Sequence, residues 1–178
     1  MIASRSPRGY FGVGVEGISK PMNLGAILRT AHAFGASFVF TIAAHHTARE
    51  VRRADTSKAE AHVPLYEWAD LGALVLPKGC ALVGVELTAD AVDLPSFRHP
   101  HAAAYVFGRE KGSLSHELLD RCAHVVQIPT RFCVNVGLAV AITLYDRTLA
   151  LGGWPERPLM PGGAELGEPA AWRRPGRA

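Results

Sequence analysis

Short, nearly continuous apolar runs alternate with amphipathic segments along the chain. "YFGVGVE" (Tyr10–Glu16), "SFVFTIA" (Ser37–Ala43), "CALVGVE" (Cys80–Glu86), "AAAYVFG" (Ala102–Gly108) and "HVVQI" (His124–Ile128) read as strands. Their lack of polar alternation is what strands covered on both faces require. In "NLGAILRTAHAFG" (Asn23–Gly35), Leu24, Ile27, Leu28, Ala31 and Phe34 recur at helical spacing. That segment predicts a helix capped by Asn23 and ended by Gly35, with Arg29 beside its apolar stripe. Glu67–Leu76 and Ser115–Arg121 suit short helices, and Asn135 to Leu151 a long one stopped by Gly152-Gly153-Trp154-Pro155. Strand and helix in turn, without an internal repeat, predict an α/β domain: a parallel sheet with right-handed crossovers, covered by helices.

Composition changes this picture little. The 178 residues, 48% apolar and 20% charged, fit one globular domain with tails. No apolar run approaches bilayer length, and "MIASRSPRGYFG" lacks the apolar core of a signal peptide, so neither a membrane nor a secretory role is expected. Three widely spaced cysteines, Cys80, Cys122 and Cys133, suit reduced thiols in a cytoplasm. A net charge of +3 permits a nucleic-acid partner without demanding one. The basic groups Arg49, Arg52, Arg53 and Lys58, and Arg173, Arg174 and Arg177, are either solvated faces or phosphate contacts. From Pro155 onward the chain has five Pro and four Gly, so a domain over residues 1–156 is expected to be followed by a tail over 157–178.

Some candidate chemistry is weak on inspection. "GVGVEG" (Gly12–Gly17) matches the dinucleotide fingerprint, but its first two glycines fall inside a strand and no acidic residue ends the second strand. His45, His46, His99, His101 and His124 lack a second ligand pair at metal-binding spacing, so no metal is expected, and His99 reads as a solvated loop residue. Cys133, beside an apolar helix start, reads more readily as a small buried hydrophobe than as a nucleophile.

Three segments at strand ends are more informative. "FGREKGSLS" supplies Gly108 and Gly112, which let backbone approach a ligand, and Ser113 or Ser115 to cap the next helix. "IPTRFCVNVG" ends a strand at Pro129 and delivers Asn135 to a helix start; "GISKPMNLG" leads through Pro21 to Asn23. Ligands of open parallel sheets bind beyond the carboxyl ends of strands, so Arg29, Glu110, Cys133 and Asn135 are candidates for one crevice.

Together, "NLGAILRTAHAFGA", "VFGREKGSLS" and "IPTRFCVNVGLAVAITLYDR" resemble the three motifs of the SpoU (TrmH-like) branch of the SPOUT RNA methyltransferases, in order, spacing and strand context, over about Tyr10 to Leu151. The resemblance implies a parallel α/β fold with a C-terminal trefoil knot, a homodimer with its site near the interface, and S-adenosylmethionine as methyl donor. It implies methylation of a ribose 2′-hydroxyl of RNA, tRNA ahead of rRNA, with a non-catalytic knotted RNA- or cofactor-binding protein as the alternative. Matched residue by residue, it gives catalytic roles to Arg29, Asn23, Glu110 and Asn135, and cofactor binding to Leu87, Gly108, Gly112, Ile128, Cys133 and Leu138. RNA phosphates would fall to Arg49, Arg52, Arg53 and Arg131. Arg29 would stabilise the forming alkoxide, since a guanidinium is a poor base. The chain departs from the pattern at Cys133 and Gly137, where serines are usual, at Val134, and in a third loop about three residues shorter than is common.

Overall fold

In the computed structural model, the described residues are 9–45, 62–108 and 112–151. Among them, seven strands form one sheet: β1 (Tyr10–Glu16), β2 (Phe38–Ile42), β3 (Leu65–Trp68), β4 (Ala81–Val85), β5 (Val92–Asp93), β6 (Ala102–Phe107) and β7 (His124–Gln127). Their spatial order is β3-β2-β1-β6-β4-β7-β5, and every pairing is parallel. Helices α1 (Pro21–Phe34) and α3 (Val136–Ala150) pack together over one face, burying Leu24, Ile27, Leu28, Val140 and Leu144 against Phe11, Val13 and Val15. The short α2 (His116–Arg121) covers the other face, with Leu118 among Leu82, Ala104 and Val106. This is the parallel α/β sheet expected from the apolar runs.

β1 shows why its glycines are there. Gly12 and Gly14 pair in register with Phe38 and Phe40 of β2. A Cβ on either glycine would overlap the neighbouring phenyl ring. The first two glycines of "GVGVEG" thus make room for two aromatic rings on the α2 face, and no nucleotide is needed to explain them.

Two helix expectations are corrected. Glu67–Leu76 is not a helix: Tyr66 and Trp68 alternate along β3, pair with Phe40 and Ile42, and stack at 6.1 Å. After β3 the Asp70 carboxylate accepts the Ala73 amide and closes only a 3-10 turn, Leu71–Ala73. Helix α1 starts at Pro21, with Lys20 at the cap position, so Asn23 lies inside the first turn. Proline's fixed φ favours the first helical position and moves the start forward. Gly35 does end the helix, at φ 72°, where its amide reaches back to Ala31 and His32.

At the amino ends of the strands, α3 is tied down by a buried polar chain. Arg147, 2% exposed, donates to Tyr105 Oη (2.9 Å) and to the carbonyls of Pro100 (2.6 Å) and His101 (2.9 Å). Its guanidinium also lies 4.8 Å from the centre of the Phe11 ring. Tyr105 Oη in turn meets His99 Nδ1 at 2.6 Å, and His99 Nε2 meets Asp146 at 2.8 Å. Because Tyr105 accepts from Arg147, its own hydroxyl is free to donate to a neutral His99. His99 is therefore not the solvated loop residue expected; it is 4% exposed, because the end of α3 closes over it. Burial lowers the His99 pKa and raises that of Tyr105 to about 12.

A histidine whose folded pKa is depressed stabilises the fold above its unfolded pKa and loses that contribution as pH falls. Thermal unfolding is therefore expected to shift downward between about pH 7 and about pH 5, with a shallower slope in His99→Gln. Arg147→Ala, which strands two carbonyls and the Tyr105 hydroxyl, is expected to cost about 3 kcal/mol or more in chemical denaturation.

Candidate functional site

Beyond the carboxyl ends of β4, β6 and β7 lies a cleft of about 510 Å³, within the range of small-molecule sites. Val85, Leu87, Phe107, Ile128 and Ala139 give it apolar walls; Lys20, Asn23, Thr130 and Asn135 supply polar groups. The wall between β6 and α2 is held by two carboxylates. Glu86, just after β4, accepts the amides of Leu87 and Leu114, both at 2.8 Å. Glu16, at the end of β1 and 7% exposed, accepts the Ser115 amide (2.8 Å) and hydroxyl (2.6 Å). Ser115 Oγ also accepts the Leu118 amide, so Ser115 and not Ser113 caps α2. Gly108 fits because a Cβ there would lie 3.1–3.3 Å from the Leu114 amide, Glu86 Oε2 and the Gly112 carbonyl. Gly112, at φ 134°, takes a conformation side chains rarely adopt.

The third loop forms the opposite wall. Asn135 Oδ1 accepts the Gly137 amide at 2.8 Å, so Asn135 is the N-cap of α3 and lines the cleft with its remaining surface. Gly137 lets α1 approach: a Cβ there would stand 3.2 Å from Asn135 Oδ1 and 3.4 Å from Ala26 Cβ. A serine at this position would press on the cap and on α1 together.

Asn23, Leu87, Gly108, Gly112, Ile128, Cys133 and Asn135 are thus brought together around one cleft. Cys133 is exposed there, not a buried hydrophobe, because the short turn carries it to the cleft wall. Leu138 does not join them. With Asn135, Val136 and Ala139 turned to the cleft, Leu138 falls on the outward side of α3 and is 59% exposed. Arg29 is exposed on α1, about 9 Å along the axis from Asn23, and is not among the lining residues. Arg131 is exposed in the third loop. Glu110, Arg49, Arg52 and Arg53 lie outside the described residues, as does the segment 157–178. No group of metal-ligating side chains occurs among the described residues, and none of their helices is long and apolar enough to cross a membrane.

Sequence reasoning missed Glu16 and Glu86. Each ends an apolar run, a place where a charge reads as the solvated end of a strand. Only the return of the 112–115 segment past both strand ends gives each a partner distant in sequence.

The model of the SpoU rRNA Methylase family matches residues 11–145, which carry every lining residue of the cleft. The chain belongs to that family. It is 27% identical over 139 residues to the tRNA (guanosine(18)-2′-O)-methyltransferase TARBP1 of Mus musculus, a match covering 74% of this chain and 9% of that protein. The SpoU methyltransferase AviRb from Streptomyces viridochromogenes, solved in complex with the cofactor AdoMet, superposes with a TM-score of 0.70 at 22% identity. That match covers 86% of this chain and 64% of AviRb. A structure solved for the 2-OH methylation of C/U34 on tRNA superposes at 0.69 and 23% identity, over 82% of this chain and 92% of that one. At these identities the two structures establish the fold, and the SpoU chain described here shares it.

The carboxylate pair gives a discriminating prediction. Both partners of Glu86 are backbone N–H groups that can only donate, whereas one partner of Glu16 is a hydroxyl that can reverse its role. Glu86→Gln is expected to lose about 1–3 kcal/mol in chemical denaturation, and Glu16→Gln clearly less.

Proposed function

We propose that this SpoU-family chain binds S-adenosylmethionine in the strand-end cleft and transfers its methyl group to a ribose 2′-hydroxyl of RNA, tRNA ahead of rRNA. One observation carries the reading: three segments far apart in sequence, the start of α1, the turn after β6 and the loop before α3, line a single cleft. The AdoMet complex of AviRb supports the cofactor, and the tRNA named for the mouse relative and the C/U34 structure supports the substrate. The cleft suits the cofactor, with apolar walls for a planar base and strand-end backbone at Leu87, Gly108 and Ile128 for its polar edges.

When bound, S-adenosylmethionine supplies a sulfonium methyl, an electrophile that needs no activation. What is left to the chain is position, and the charge that grows on the hydroxyl oxygen as its proton leaves. Asn23 and Asn135 offer amide groups to orient the ribose. Arg29 brings a guanidinium, a group suited to stabilising negative charge and not to removing a proton. Glu110, in this reading, orients Arg29 through a charge-assisted pair, and Arg49, Arg52, Arg53 and Arg131 hold phosphates. The reading includes the trefoil knot in the C-terminal part of the domain and a cytoplasmic setting, in keeping with three free cysteines.

It also includes a homodimer. Leu138, Ile142, Tyr145 and Leu149 follow one another at helical spacing on α3, each at least 36% exposed, and Met22 of α1 is 74% exposed. An apolar stripe of this kind is the mark of a surface that pairs. α1 and α3 meet at Ala26 and Gly137, so Arg29 shares the α1 edge that borders this stripe.

Arg29→Ala is expected to lower kcat/KM for RNA methylation about 10²- to 10³-fold while calorimetric affinity for S-adenosylmethionine is retained. Wild-type transfer rates in the variant would remove Arg29 from the mechanism. Failure of the wild-type protein to bind the cofactor would remove the mechanism itself. Ile142→Glu is expected to convert a dimer to monomers in sedimentation velocity, and an unchanged sedimentation coefficient would reject this face as the interface.

A further inference from the structure

The loop before α3 carries an aromatic ring that neither the core nor the cleft uses. Phe132 is 84% exposed, the most exposed of the large apolar side chains among the described residues. Its setting is ordered by its neighbours. Thr130 Oγ1 donates to the Phe132 carbonyl at 2.7 Å, and the Thr130 amide donates to the Ile128 carbonyl at 2.7 Å. The turn is thereby closed on itself, with the Phe132 carbonyl held by Thr130 and the ring exposed. Thr130 and Cys133 line the cleft; Arg131 and Phe132, between them, do not. Two residues bracketed by lining residues stand on the rim, here a cation and a phenyl ring side by side. Lys20 and Asn23, from the start of α1, also line the cleft.

We infer that Phe132 is the stacking platform for the base of the nucleotide being methylated, with Arg131 on the adjoining phosphate. The inference rests on the methyl-transfer reading above and goes beyond it by naming the residue that receives the base. A ribose whose 2′-hydroxyl enters the cleft must leave the regular stack of its strand, and its base then loses a neighbouring face. An aromatic ring on the rim replaces that face, and stacking accepts any base because every base has a π-face. A turn held closed before RNA arrives loses little freedom on binding. The arrangement therefore grips an unpaired nucleotide without specifying which base it is. Phe132 is a substrate-contacting residue on this account; Thr130 is a positioning residue that acts through it.

The test uses the full chain with S-adenosylhomocysteine and a short single-stranded RNA carrying 2-aminopurine, whose fluorescence falls on stacking. Phe132→Ala is expected to weaken RNA binding about tenfold or more and to abolish the quench, and Phe132→Tyr to keep both. Phe132→Leu, apolar but without a π-face, is expected to behave as Ala. S-adenosylhomocysteine affinity by calorimetry and the sedimentation coefficient are expected to stay at wild-type values in all three variants. Wild-type RNA affinity in Phe132→Ala overturns the proposal, as does a wild-type protein that binds this RNA without a quench. A shift in sedimentation also overturns it, by making Phe132 a contact between copies, and loss of S-adenosylhomocysteine affinity overturns it by making the ring part of the loop's fold. If the wild-type protein binds no S-adenosylhomocysteine at all, the methyl-transfer reading has failed first, and the calorimetry separates that result from the others.

Discussion

Backbone N–H groups that leave a parallel sheet at its carboxyl end have no strand partner, and here two glutamates collect them. Glu86 takes the amides of Leu87 and Leu114, and Glu16 takes the amide and the hydroxyl of Ser115. Charge-assisted bonds of this kind are among the stronger ones available to a surface segment. They fix the turn between β6 and α2 across the ends of β1 and β4, and so create one wall of the cleft. Gly108 belongs to the same constraint, since any side chain there would push into the Glu86 carboxylate and the backbone it holds. The cap of α2 depends on it as well, because Ser115 reaches Glu16 and Leu118 with a single hydroxyl.

The opposite end of the sheet is held by a different solution to the same problem. Arg147 satisfies two loop carbonyls and the Tyr105 hydroxyl, and the Phe11 and Tyr105 rings lie against its guanidinium. This anchors the last turn of α3, while Asn135 caps its first turn at the cleft. The helix is fixed at both ends and packed along one side. Its remaining side, from Leu138 to Leu149, stays apolar and exposed. A helix so constrained carries that stripe and the cleft residues at its start on one element.

How much of this was legible depended on where each signal came from. Strands β1, β2, β4, β6 and β7 were legible because burial on both faces writes a continuous apolar run. β3 was not, since its identity comes from Tyr66 and Trp68 pairing with β2 and not from the helical spacing also present in that segment. The start of α1 was misplaced by three residues because Asn23 is a good cap in isolation, whereas Pro21 fixes the first turn and Lys20 takes the cap position. Gly12 and Gly14 of "GVGVEG" carried a false nucleotide signal; their reason is two phenyl rings from a neighbouring strand.

The sequence by itself determined the alternating α/β order, the apolar faces of α1 and α3, and the three motif segments, because these depend on local spacing and on residue type. Only the tertiary structure decided that Asn23, Gly108, Cys133 and Asn135 share a cleft while Leu138 turns away from it. It also decided that His99 is buried, and that Glu16 and Glu86 hold a loop 28 to 99 residues distant along the chain. A hydrogen bond or a buried charge has two partners, and the second is named only when the sheet brings distant strand ends together.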